Sequence, residues 1–73
     1  MKFYFDGELI RTSKAHTYTH AVVAPANPES SKRWGVYGCR SSLAGAEQLM
    51  AETRRLYPKS GAAARIVPLE AKK

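Results

Sequence analysis

The order of apolar and polar positions is most regular at the start of the chain, in KFYFDGELIR. Two β-prone runs flank Asp6-Gly7, the pair a type I′ hairpin turn requires because both central residues need positive φ. A two-residue turn there sets Phe5 opposite Glu8, Tyr4 opposite Leu9, Phe3 opposite Ile10 and Lys2 opposite Arg11. Phe3, Phe5 and Ile10 then share one side of the sheet, and Lys2, Tyr4, Leu9 and Arg11 share the other.

Four further elements follow. KAHTYTHAVVAP reads as a third strand, because Thr17, Tyr18, Thr19, Val22 and Val23 are strand formers and Pro25 ends the run. PANPESSK is a loop. RWGVYGCR is a fourth strand, with Gly35 and Gly38 marking bulges or close approaches. In SSLAGAEQLMAETRRLYP, Leu43, Ala46, Leu49, Met50, Thr53, Leu56 and Tyr57 recur at helical spacing. Ser41 or Ser42 caps that helix, and Pro58 with Gly61 stops it. AARIVPL is a short last strand whose Pro68 belongs at a sheet edge, and Lys72 and Lys73 read as a solvated end.

The pattern predicts an α+β fold. An antiparallel four- to five-stranded sheet in the order β-β-β-β-α-β carries one helix packed on one face. One helix cannot cover both faces of such a sheet, so the other is expected to be open to water or to a partner. If Ala24 lies opposite Arg33, Val23 pairs with Trp34, Ala21 with Val36, His20 with Tyr37 and Tyr18 with Cys39. The Val23, Trp34, Ala21 and Val36 side joins Phe3, Phe5 and Ile10 as the floor for the helix. His16, Tyr18, His20, Tyr37, Tyr4, Lys2 and Arg11 are left on the open side, and a register shift by one residue would swap a whole strand.

Composition narrows the class. A chain of 73 residues is expected to be a single domain, 1–73, with little room for a deep active site. Asp6 and Glu8 interrupt the first apolar run, which argues against a signal peptide, and no stretch is long enough to span a bilayer. The lone Cys39 has no partner for an internal disulfide, so a reducing cytoplasm is the expected location. Net charge is +6, with six cations against three carboxylates in residues 1–41 and the same in 42–73. Such an excess, spread along the chain, favours polyanionic partners.

Candidate chemistry follows from those faces. His16 and His20 have the i, i+4 spacing of a metal-binding helix, but on a strand they stand about 13 Å apart, too far for one ion. No metal or other cofactor is expected. His20, Tyr18, Tyr37, Lys14 and Arg11 are the ingredients of a small metal-independent ribonuclease-type toxin. Nothing pairs a nucleophile with an oriented base, however, and the expectation is that the protein is not an enzyme. The stronger candidate is a basic aromatic surface made of Lys2, Tyr4, Arg11, His16, Tyr18, His20, Arg33 and Tyr37. Its tyrosines would stack on bases while its cations neutralise phosphates of DNA or RNA.

A three-stranded sheet leading through RWGVYGCRSSLAGAEQLM into a helix, over residues 16–57, resembles the AP2-type and integrase arm-type DNA-binding domains. That resemblance implies a sheet that enters the major groove. The sequence departs from the pattern: those sheets read DNA mainly with arginines, and they lack the Asp-Gly hairpin and the last strand. The chain is also similar in type to orphan proteins of phages and mobile elements, anti-CRISPR proteins among them. This implies an alternative, an inhibitor that binds a host defence protein at its nucleic-acid site, with the exposed aromatics as interface anchors. A monomer or a homodimer fits either reading.

Overall fold

The computed structural model describes residues 1–26, 29, 31, 33–59 and 61–72. The elements are β1 (Lys2–Phe5), β2 (Glu8–Thr12), β3 (His20–Pro25), β4 (Trp34–Arg40), α1 (Leu43–Leu56), a 3₁₀ turn (Gly61–Ala63), β5 (Arg65–Pro68) and β6 (Glu70–Lys72). The fold is α+β, as expected, but the strands form two three-stranded antiparallel sheets, β2-β1-β6 and β4-β3-β5. Asn27, Pro28, Ser30 and Lys32 of the PANPESSK loop lie outside the described residues, as does Lys73. Among the described residues no helix is long and apolar enough to cross a membrane.

The β4-β3-β5 sheet is the middle layer of three. Alternate residues of β3 enter different cores. Ala21 and Val23, with Cys39 and Val67, pack against Phe5, Ile10, Tyr18, Trp34, Val36 and Leu69. Val22, with Ala46 of α1 and Ala64, packs against Tyr37, Leu49, Met50 and Ile66. The first sheet therefore covers one face of the middle sheet and the helix covers the other. This corrects the expected single sheet, whose helix was to lie on the Ala21 and Val23 side.

Two bulges set the registers. The Asp6-Gly7 turn has the required positive φ, 53° and 79°, and Phe5↔Glu8 and Tyr4↔Leu9 pair as expected. Beyond them Ile10 is extra, so Phe3 faces Arg11 and Lys2 faces Thr12. Ile10 turns inward, and Arg11 is carried to the inward side with Phe3. In the β3–β4 pair, Val23 faces Val36 and Val22 faces Gly38, leaving Tyr37 extra. Tyr37 and Gly38 both lie on the helix side. A Cβ on Gly38 would stand 2.8 Å from Leu49 Cδ2, so glycine lets the helix approach there.

The last strand changes sheets. Residues 65–68 pair with β3 and residues 70–72 pair with β1, and at the junction the Leu69 amide donates to the Thr19 carbonyl at 2.9 Å. Pro68 fits because β5 is an edge strand. Lys72 is thus part of a strand, not a frayed end. Ser42 caps α1 by accepting from the Gly45 amide at 3.1 Å.

Candidate nucleic-acid interface

The eight residues expected on one open face fall into four places. Lys2 and Tyr4 lie on the outer face of the first sheet, where Leu9, Thr12, Glu70 and Lys72 surround them. Lys72 Nζ stands 5.4 Å from the centre of the Tyr4 ring. This outer face is the open one, since Lys2, Leu9, Thr12, Glu70 and Lys72 are all exposed.

Arg11, His16 and Tyr18 meet at the end of the sheets. The expected third strand begins only at His20, so residues 14–18 lie outside any strand and their side chains need not alternate. The Tyr18 ring turns inward and meets Phe3 edge-on at 5.3 Å. His16 stacks tilted on Tyr18 at 5.8 Å, and the Arg11 guanidinium lies 5.9 Å above the same ring. Phe3 is fully buried, so this set is anchored in the core. The Ser13 hydroxyl accepts from the His16 amide at 3.1 Å, which holds the bend that presents His16.

His20, Tyr37 and Arg33 are elsewhere. His20 pairs with Arg40, on the helix side of the middle sheet, and its Nδ1 contacts Thr19 Oγ1 at 2.8 Å. Tyr37 faces the helix and lies 5.9 Å from Tyr57. Arg33 sits at the opposite end, where its Nη2 meets Asp6 Oδ2 at 2.6 Å and its amide donates to Glu8 Oε1 at 2.9 Å. The expectation that all eight share a face is therefore corrected. The physical cause is that the helix occupies the His20 and Tyr37 side, and the Ile10 bulge moves Arg11 off the Tyr4 side.

Comparison with known proteins brings no relative to bear on the site. No protein family, no curated protein and no solved structure matches the chain.

The fold sorts charge in a way the linear count hides. Within the sheet layers, Asp6, Glu8 and Glu29 belong to one end, where Arg33 and Arg65 partly balance them, the Arg65 guanidinium lying 4.4 Å from the centre of the Trp34 ring. Lys2, Arg11, Lys14, Arg40 and Lys72 belong to the other end, where Glu70 is the nearest carboxylate along the strands and stands 3.9 Å from Lys72. Arg54, Arg55 and Lys59 lie apart, in the last turn of α1 and after it. Lys14, Arg40 and Lys72 are missing from the expected set. For Lys72 a signal existed, because it lies three residues beyond Leu69, directly after Ala71. Arg40 required the true β4 register.

The thiol of Cys39 lies under this end. Burial pushes it above its ordinary range, while the nearby Arg11 and Arg40 guanidinium groups pull it partly back. Arg40 Nη1 also donates to the Cys39 carbonyl at 2.7 Å. Among the described residues there is no pocket, and no three His, Cys, Asp or Glu side chains gather as metal ligands. What the end offers is a surface of cations and rings.

Proposed function

We propose that the protein is a small basic, non-enzymatic, cytoplasmic binding module that contacts nucleic acid through the cationic end of its sheets. The observation that supports this reading is that Lys2, Arg11, Lys14, Arg40 and Lys72 fall toward the end of the strands that carries the His16–Tyr18 pair, with Arg11 over the Tyr18 ring, away from the end that holds Asp6, Glu8 and Glu29. Phosphates are drawn to such a field, and the rings beside it can take a base or a sugar. With no pocket among the described residues, a long polyanion suits the surface better than a small ligand.

Salt dependence tests the reading. Five cations neutralising about one phosphate each give a slope of log K against log salt between about −3 and −5. Replacing Arg11 or Lys14 by Gln lowers its magnitude by about one. No binding at low salt, or affinity flat from about 50 to 200 mM salt, overturns the proposal.

A second reading is an inhibitor of phage type that binds a host protein at its nucleic-acid site. Leu56 and Tyr57 favour it, since they are 63% and 52% exposed side by side and Tyr57 rests on Tyr37. On that reading Leu56→Ala abolishes inhibition, and no nucleic acid binds.

A further inference from the structure

The cationic end presents aromatic rings in two directions. Tyr4 is central in the central strand of the first sheet, on the outer face, with Leu9 directly across and Lys72 leaning over it. Lys2 lies on the same side two residues away, about 7 Å along the strand, and pairs with Lys72 across the ladder. Around the end of that sheet, His16 is the outermost of a series of rings that begins at buried Phe3 and passes through Tyr18. One side of the His16 ring rests on Tyr18, and the residue is exposed to solvent. Rings held in this way lose little freedom when a base is laid on them.

Rings help only if bases are free to meet them. In a duplex each base is already stacked, and sequence is read at groove edges, chiefly by Arg, Asn or Gln in bidentate pairs. The open face of the first sheet carries Lys2, Tyr4, Leu9, Thr12, Glu70 and Lys72, none of which is such a reader. Its cations are lysines, point charges suited to a mobile backbone. The cations also turn a corner, from Lys2 and Lys72 on the outer face to Arg11 and Lys14 at the end, which suits a strand that can bend.

We propose that the ligand of this surface is single-stranded nucleic acid, with bases stacking on Tyr4 and His16 while Lys2, Arg11, Lys14 and Lys72 hold the phosphates. The proposal rests on the nucleic-acid reading above and narrows it. The shared chemistry is an unpaired base next to a phosphate, which DNA and RNA both provide.

The test is fluorescence anisotropy with a labelled 20-nucleotide strand, as DNA and as RNA, and with the blunt duplex of each at one salt concentration. At least one single strand should bind about tenfold or more tightly than its duplex. His16→Ala and Tyr4→Ala should each weaken that binding at least about fivefold, leaving the salt slope unchanged. Tyr4→Phe should retain it. His16 is exposed, so its variant keeps the test readable if Tyr4→Ala does not fold. Equal or tighter duplex binding overturns this inference and leaves the nucleic-acid reading standing, as does single-strand affinity unmoved by loss of His16. No binding by any of the four probes overturns both.

Discussion

At the residue scale the glycines and the cysteine carry the sharpest consequences. Gly61 begins the 3₁₀ turn under the end of α1, where a Cβ would stand 2.8 Å from the Thr53 carbonyl oxygen and 2.9 Å from Arg54 Cα. These are backbone atoms of a packed helix and cannot give way. Gly38 has a similarly close neighbour, but it is the far end of the Leu49 side chain, which can turn aside. Gly61→Ala is therefore expected to cost about 1–3 kcal/mol and Gly38→Ala clearly less, measured as urea midpoints. Equal losses would refute the distinction. Cys39 gives a pH signature. Its pKa is raised in the fold, chiefly by burial, so the folded chain holds the thiol proton more tightly than the unfolded chain. That contribution is complete below the ordinary thiol range, near about 8.5, and is lost as pH rises through the folded value. The stability difference between the native protein and Cys39→Ala should thus shrink from pH 7 to pH 10. A difference constant across that range would count against the assignment.

At the element scale, short-range signals were legible and ladder irregularities were not. The Asp6-Gly7 turn, the cap at Ser42 and the helix to Leu56 all follow from local chemistry, and each forms where that chemistry directs. The bulges at Ile10 and Tyr37 do not. An extra residue in a strand looks like any other residue until its partner strand is in place. The run Ala21 to Ala24 held a clue that strict alternation obscured. Four consecutive apolar residues, all buried, mark a strand covered on both faces. The Asp6–Arg33 ion pair ties the two hairpins together, with side chains 50% and 66% exposed. Asn tolerates the positive φ of Asp6, so Asp6→Asn removes the charge and keeps the turn. The expected loss is under about 1 kcal/mol at low salt, and it fades as salt screens the pair. Thermal melts at two salt concentrations check this, and a larger loss that is insensitive to salt would assign Asp6 a role beyond the ion pair.

At the scale of the whole molecule, position in the fold decides which cations can act together. Arg33 was a candidate contact by sequence, but it lies beside Asp6 and Glu8 at the far end. Arg11 lies over Tyr18 at the cationic end. Each Arg→Gln variant removes one charge from the same net total, so a purely global field would treat them alike. The localised surface predicts that Arg11→Gln weakens nucleic-acid binding about threefold or more and that Arg33→Gln leaves it within a factor of two. Anisotropy titrations of both variants decide it, and equal losses would show that only net charge matters.

The chain by itself determined most of its elements, β6 and the start of β3 excepted, because turns, caps and helical spacing depend on neighbours within a few residues. It also determined the net charge and the ring-bearing segment from His16 to Tyr18. Only the tertiary structure decided which faces meet. Period-2 alternation says that a strand has two sides and is silent on what covers each. Here a last strand splits between two sheets, so the first sheet closes one side of the middle layer and the helix closes the other. The open face thereby narrowed from all four expected strands to the outer side of the β2-β1-β6 sheet, and an evenly spread charge became a cationic end.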